Sequence, residues 1–334
     1  MKAVVQTRYG PPEDVLELRE VAIPQIADDE VLVRVRAASV HPDVWHVVTG
    51  RPYALRIMGA GLTGPKNPVP GTDVAGCIES IGRTVTRFRP GDEVFGETLR
   101  NYQWHNGGAF AEYVSVPEDS LALKPTNVDF EQAAAVPTSG LIALWNLPKD
   151  LRAGQDVLIN GAGGGVGAIA LQLAKVSGAR VTGVDHTVKL EMMRHLGADH
   201  VIDYTRDDFT QDGERYDVIL DVPGNRKFSE CRRVLKPDGR YVLVGHDQFG
   251  RRGGRWLGSL GRFAGLMVAS MFTSQLSMSF SAPTKRESME ILREHIESGK
   301  LQPMVARSYP LSEVVQAISL LQTGLYQGKI VMTV

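Results

Sequence analysis

The apolar positions of this chain change their period once, near residue 125. Up to about residue 124 they form short runs with alternating polar neighbours, Lys2 to Gln6, Glu30 to Ala37, Asp73 to Ile81 and Glu93 to Phe95, separated by Pro and Gly. Such runs predict β-strands joined by turns. From about Asp129 helical and strand signals alternate: a helix near Glu131 to Trp145, a strand at Val157, a helix from Val166, a strand at Val181, a helix over Lys189 to Leu196, and short strands at His200 to Ile202 and Asp217 to Leu220. A further strand, Gly239 to Val244, is expected after the turn Lys236-Pro237-Asp238-Gly239. Apolar strands alternating with helices predict an α/β fold with a parallel, doubly wound sheet. Residues 284–299 read as an amphipathic helix ended by Gly299, and Glu313 to Gln322 as another. The last strand, residues 329–334, needs a partner, and the β-rich first part is the obvious host. No internal repeat or low-complexity tract is visible.

The strongest local signal is the run Val157 to Gly167. An apolar strand ends in Gly161, Gly163, Gly164 and Gly165, continues through Val166 and Gly167, and leads into the helical pattern Ala168 to Lys175. Glycines permit the tight strand-to-helix turn and let backbone N–H groups and the positive helix N-terminus approach a pyrophosphate. The next strand ends in Asp185, 18 positions past Gly167, where a ribose-binding carboxylate belongs in a βαβ dinucleotide fold. The plainer alternative is a glycine turn with a solvated Asp.

A length of 334 residues suits two domains, and 43% hydrophobic content with 22% charge is ordinary for a globular protein. A net charge of −1 gives no reason to expect nucleic acid or an anionic membrane as the main partner, so small molecules are expected instead. The opening MKAVVQTRYG has no apolar signal segment, and no stretch approaches the roughly 18 uninterrupted apolar residues of a membrane span. Stable membrane insertion is therefore not expected, and a cytoplasmic location is. Cys77 and Cys231 are the only cysteines. Cys77 reads as a small buried thiol, and neither a disulfide framework nor a cysteine zinc site is expected.

Six segments in order carry a family resemblance: Ala37-Ala38-Ser39-Val40-His41-Pro42-Asp43, Gly71-Thr72-Asp73-Val74-Ala75-Gly76, Phe88 to Gly96, Gly107 to Tyr113, Leu196-Gly197-Ala198-Asp199 and Gln327-Gly328-Lys329-Ile330-Val331. The chain resembles the medium-chain dehydrogenase/reductase superfamily, specifically its zinc-free quinone oxidoreductase and enoyl or alkenal reductase branch. The resemblance implies a GroES-like β-rich catalytic domain over residues 1–124, a Rossmann NAD(P)-binding domain over 125–270, and a C-terminal segment, 271–334, that returns to the first. It also implies a homodimer. Sister enzymes hold a catalytic zinc, which needs about three protein ligands. At the corresponding positions this chain has His41, Thr72 and Pro137, and residues 96–108 lack the cysteines of a structural zinc site. No metal is expected, although His41, His46, His105 and Asp43 are the residues that would have to converge for one.

Without a Lewis acid, hydride transfer suits a carbonyl already activated by conjugation, so quinones and α,β-unsaturated carbonyls are the expected small hydrophobic substrates. Charge then collects on the oxygen, and a donor supplies a proton. Tyr53, after the Gly50-Arg51-Pro52 turn, is the first candidate donor by resemblance, though a structural role is as consistent with its position. His41, Asp43 and His46 lie close by in sequence; His41 stands where relatives typically show Asn, and it either donates to substrate or packs against backbone. For the cofactor, Gly161, Gly164, Gly165, Val166 and Gly167 would surround the pyrophosphate. By resemblance, Ser139 and Gly140 and the strand end Val244-Gly245-His246 would stand near the nicotinamide. Asp185 should bond the ribose hydroxyls of NADH and repel a 2′-phosphate. The branch, by contrast, favours NADPH, and His186 and Lys189 are cations that would pair with its phosphate.

The stretch Arg251 to Gln275 interleaves Arg251, Arg252, Arg255 and Arg262 with Trp256, Leu257, Leu260, Phe263, Leu266 and Met267. It reads as a lid or wall for a hydrophobic substrate, a subunit contact, or a membrane-surface helix, in that order. Three rival activities stay open: zinc-type alcohol dehydrogenase chemistry on simple carbonyls, a class I methyltransferase suggested by Cys231 to Arg240 before an apolar strand, and nucleotide binding without turnover.

Overall fold

The computed structural model describes residues 1–100, 105–211, 213–245, 256–258, 260–276 and 282–334. His246 and Arg251, Arg252 and Arg255, singled out above, lie outside the described residues. Contacts divide the chain into two units: Met1–Leu141 with Pro283–Gly299 and Pro303–Val334, and Ile142–Ala282 with Lys300–Gln302.

The first unit begins with a hairpin of β1 (Lys2–Gln6) and β2 (Leu16–Glu20). Its main sheet is built on β3 (Glu30–Val40), with β4 (Asp73–Ile81), β5 (Glu93–Glu97), β6 (Tyr113–Pro117) and β7 (Leu121–Leu123). β3 pairs antiparallel with both β4 and β6, and its inward positions Val31, Val33 and Val35 are buried as the alternation predicts.

The second unit carries β8 (Asp156–Asn160), β9 (Arg180–Asp185), β10 (His200–Asp203), β11 (Tyr216–Asp221) and β12 (Leu235–Leu243). All pair in parallel in the order β10-β9-β8-β11-β12. The order reverses at β8, so the carboxyl ends of β8 and β11 form the switch point at which such sheets bind ligands. The apolar runs of β8 and β11 are fully buried, with Leu158, Ile159, Ile219 and Leu220 all at 0% exposure.

The chain then returns to the first unit through β13 (Val305–Pro310) and β14 (Lys329–Thr333), and β14 lies antiparallel against β3. The main sheet there runs β13-β14-β3-β4-β5-β7, with β6 beside β3.

Two local expectations change. The single helix near Glu131 to Trp145 is two helices, Phe130–Ala134 and Pro137–Asn146, because Pro137 lacks an N–H and disfavours helical backbone at Val136. The turn expected at Lys236 to Gly239 lies inside β12 as a bulge: Leu235 pairs with Tyr216 and Arg240 with Val218.

Candidate active site

In the second unit the glycine turn sits at the end of β8. Gly161 has φ +84°, a left-handed conformation that glycine alone adopts without strain. A Cβ at Gly167 would stand 2.1 Å from the Gly161 carbonyl, and one at Gly163 would meet the Lys189 side chain at 2.6 Å. Gly164 differs: a Cβ there would approach nothing nearer than the Gly161 carbonyl at 3.5 Å. Three of these glycines are thus required by the protein's own packing, and the fourth leaves a space that a phosphate oxygen can use. Gly164 precedes the helix Gly165–Val176, whose geometry leaves the N–H groups of Gly165, Val166 and Gly167 without an i−4 carbonyl. The residues fit a dinucleotide pyrophosphate.

Asp185, at the end of β9, is buried and engaged at both oxygens. Oδ2 accepts the Gly163 N–H at 2.8 Å, and Oδ1 accepts the His186 N–H at 2.8 Å and faces Lys189 Nζ at 3.2 Å. Lys189 is itself buried, at 5% exposure, so the two charges neutralise one another in a low-dielectric setting. The His186 imidazole accepts from the Val188 N–H and caps the turn Thr187–Lys189. Tyr204, half-exposed, meets the His186 ring edge-on at 5.8 Å.

Asp221, at the end of β11, is fully buried. It accepts from Asn160 Nδ2 at 2.8 Å, from the Gly224 N–H at 3.0 Å and from the Tyr241 hydroxyl at 2.7 Å, with the Arg262 guanidinium 3.9 Å away. Burial pushes its carboxyl above the ordinary range in spite of these donors. Val244 donates to the Asp221 carbonyl at 3.0 Å, and the Gly245 carbonyl lies beside Gly224, so the two strand-end residues belong to this corner.

In the first unit the organising residue is Asp73. Its carboxylate accepts from Ser39 Oγ, from the Thr138 N–H at 2.8 Å and from the Thr138 hydroxyl, and it pairs with Lys329 Nζ at 3.2 Å. The helix break at Pro137 is what frees the Thr138 N–H for this carboxylate. Glu97, paired in register with Asp73, is held by Lys285. Burial lowers the Lys329 ammonium below the usual lysine range and raises the Glu97 carboxyl more than Lys285 pulls it down. Ser139, the next residue along, is 1% exposed, and its Oγ has no hydrogen-bond partner. A buried orphan hydroxyl is costly unless a further group satisfies it, which suits a residue waiting for a polar ligand. Gly140 is packed against Leu292.

The four donor candidates fall in different settings. His41 caps the helix Pro42–Thr49 by accepting from the Asp43 N–H, and its Nδ1 lies 3.4 Å from Asp43 Oδ2. Asp43 lines a small cleft together with Gly71, Thr72, Glu97, Leu99 and His105. His46 is 1% exposed and bonds through Nδ1 to the Arg51 carbonyl at 2.7 Å. Tyr53 is half-buried beneath the Arg56 guanidinium, 4.7 Å from its ring centre, and is not among the residues lining the cleft.

A resident zinc does not fit these residues. Thr72 and Pro137 hold two of the would-be ligand positions, and among the described residues no three His, Cys, Asp or Glu side chains converge as a ligand set. The Asp73, Glu97, Lys285 and Lys329 cluster and the Asp221 corner were not picked out by sequence reasoning. Their signal was present: a charged residue at the edge of an apolar strand, as in Lys329-Ile330-Val331-Met332, is buried only with a partner.

Comparison with known proteins agrees with both units. A model of the alcohol dehydrogenase GroES-like domain matches residues 27–126, and a zinc-binding dehydrogenase model matches residues 196–332. The chain is 34% identical to the 2-methylene-furan-3-one reductase of Solanum lycopersicum, over 99% of this chain and 79% of that protein. It is 33% identical to the chloroplastic NADPH-dependent alkenal/one oxidoreductase of Arabidopsis thaliana, over 99% and 79%. Among solved structures, the quinone oxidoreductase from Coxiella burnetii aligns with a TM-score of 0.84 and 29% identity, covering 100% of this chain and 99% of that one.

Proposed function

The chain belongs to the medium-chain dehydrogenase/reductase superfamily, in its quinone oxidoreductase and alkenal reductase branch, and from that premise we propose that it reduces quinones or the C=C bond of α,β-unsaturated carbonyls with NAD(P)H. The observation that carries the reading is the open position at Gly164, where a Cβ would meet only the Gly161 carbonyl, before a helix N-terminus at the switch point of a parallel sheet. When bound, the reduced nicotinamide supplies the hydride. Everything else is the task of the protein's own residues.

The Gly165 to Gly167 N–H groups would hold the pyrophosphate; in the first unit, the buried Ser139 Oγ has a hydroxyl to offer a polar ligand. Asp73, through the Thr138 N–H, fixes the backbone that carries Ser139. Choice between NADH and NADPH rests on the Asp185–Lys189 pair. Because Lys189 neutralises the carboxylate, the bias towards NADH expected of a lone Asp is reduced, and a 2′-phosphate competes with Asp185 for the same ammonium. The proton donor we propose is His41, whose Nδ1 accepts the N–H of Asp43, a residue that lines the cleft; His46 is committed to the Arg51 carbonyl. The methyltransferase reading is not followed, since the relatives that span the chain are oxidoreductases.

The test is NAD(P)H consumption against a panel of quinones, enones and saturated ketones. Turnover of the first two is expected. Preference for saturated ketones, with no activity on enones or quinones, would overturn the assignment.

A further inference from the structure

In the second unit the buried Asp221 carboxylate draws its donors from one short loop and from the strand ends on either side of it. Oδ1 accepts the N–H of Gly224, three residues further along, and the Asn160 amide at the end of β8. The same amide donates to Asn225 Oδ1 at 2.9 Å, and the Tyr241 hydroxyl, on β12, donates to Asp221 Oδ2. Gly224 reaches the carboxylate through a left-handed turn, φ +59°, and a Cβ there would stand 2.7 Å from the Gly245 carbonyl. Arg262, on the helix Leu260–Ser270, closes the loop from the other side by donating to the Gly224 and Arg226 carbonyls. The loop 222–225 is thus tied down at Gly224 and Asn225, while Val222 and Pro223 at its start keep part of their surface open.

This loop backs directly on the phosphate turn. Pro223 Cδ and Val222 Cβ are the nearest atoms that a Cβ on Gly161 would meet, at 3.0 and 3.3 Å. A dinucleotide crosses an open parallel sheet at the switch point, with its pyrophosphate on the helix N-terminus after the central strand and its two nucleoside halves on opposite sides. The carboxylate that ends the second strand, the place of Asp185 on β9, faces the adenosine half. The nicotinamide half is then left to the β11 side of β8, where Val222 and Pro223 are the partly open residues. A carboxylate at 0% exposure has lost its hydration and needs several donors in return. What these donors hold in register is one loop and the β8 end beside it.

We propose that Asp221 is a positioning residue for the nicotinamide half of the cofactor: through the Gly224 N–H and Asn160 it fixes the loop 222–225, so that Val222 and Pro223 form a preset wall beside the phosphate turn. The role rests on the proposed binding of NAD(P)H. Asp221 itself has no surface to offer and acts only through the loop. A wall fixed in advance removes the ordering cost that a loose loop would impose on binding, and that cost falls on one half of the cofactor. Asp185 and Lys189, on the other side of the turn, are held by a separate set of bonds.

Calorimetric titration of the full chain with NADH and NADPH, and with the adenosine halves alone, 5′-AMP and adenosine 2′,5′-bisphosphate, separates the two sides. Pro223→Gly loosens the wall without touching the buried corner. It should raise the Kd of the reduced dinucleotides by about tenfold, leave that of the adenosine halves within about twofold, and keep the melting temperature close to the parent's. Asp221→Ala should show the same split with a lower melting temperature. Asp221→Asn keeps an acceptor for the Gly224 N–H and should restore most of the affinity. Equal weakening of dinucleotide and adenosine half by Pro223→Gly, or weakening of neither, overturns the positioning role while the dinucleotide reading stands. So does an Asp221→Asn protein that binds as poorly as Asp221→Ala. A parent chain that binds neither reduced dinucleotide overturns the dinucleotide reading itself, and the proposal with it.

Discussion

Asp185 accepts the backbone N–H of Gly163 at 2.8 Å, from a position 22 residues further along the chain. One hydrogen bond thereby ties the end of β9 to the phosphate turn after β8, and Lys189 lies across the same glycine and pairs with the same carboxylate. The residue expected to greet a ribose is first of all the clamp that shapes the turn. If Asp185 also governs cofactor preference, as proposed, that preference and the turn geometry are coupled through a single side chain.

Asp185→Asn separates the two roles. Its amide oxygen still accepts the Gly163 N–H, while the negative charge that holds Lys189 is gone. The ratio of kcat/KM for NADPH to that for NADH should rise by about tenfold, equivalent to about 1.4 kcal/mol. Steady-state kinetics with both cofactors measures this. A ratio that falls would mean that Asp185 does not hold Lys189 away from phosphate, and Lys189→Met should lower the ratio if it does.

Gly164→Ala and Gly167→Ala should fail in different ways. A Cβ at residue 164 has room in the protein and intrudes only where phosphate binds, so cofactor affinity should fall with little change in melting temperature. A Cβ at residue 167 collides with the Gly161 carbonyl, so stability should fall as well, by on the order of 1–3 kcal/mol. Calorimetric titration alongside thermal melting separates the two. Unchanged cofactor affinity in Gly164→Ala would remove the phosphate from this turn.

The glycine turn, the parallel strands and the host of the last strand were legible because each rests on local pattern: period, punctuation, and a run of glycines before a helix. What pattern does not contain is the partner of a charge. Asp185 stood at the right distance from Gly167, but only the fold shows Lys189 folded back upon it. Lys329 and Asp73 lie far apart along the chain and meet because β14 joins β3 beside β4. The break at Val136 was readable from Pro137, yet its use, presenting the Thr138 N–H to Asp73, depends on strands far away in sequence.

Lys329→Met should be strongly destabilising, since it leaves the Asp73 carboxylate charged and fully buried; the loss expected is about 3–5 kcal/mol. Adding Asp73→Asn removes that charge while keeping an acceptor for the Thr138 N–H, and should recover a large part of the loss. Urea denaturation of the single and double variants provides the measurement. Simple additivity of the two substitutions would show that the pair is not coupled.

Asp156 predicts an acid-side dependence. The Arg180 guanidinium, with help from Lys236, holds its carboxyl at about 2, below the ordinary 3.8. A depressed folded-state value stabilises the fold above the unfolded-state value and loses that contribution as pH falls through the folded one. Stability from this site is thus full above about pH 4 and drains away towards about pH 2. Asp156→Asn should be less stable at neutral pH by on the order of 1 kcal/mol, allowing for partial exposure, and should lose less on acidification. Parallel losses in both proteins would place the acid sensitivity elsewhere.

His41→Asn is the sharpest test of the proposed proton donor, because asparagine caps a helix well and so preserves the start of Pro42–Thr49 while removing the titratable ring. If His41, whose Nδ1 accepts the Asp43 N–H, protonates the anion left by hydride transfer, kcat on an enone should fall by about tenfold or more, within the range of general acid catalysis, with cofactor affinity unchanged. Tyr53→Phe should change kcat by no more than about twofold, since the Tyr53 ring packs beneath the Arg56 guanidinium. The reverse pattern, a slow Tyr53→Phe enzyme and an unimpaired His41→Asn enzyme, would transfer the donor role to the phenol and leave His41 as a cap.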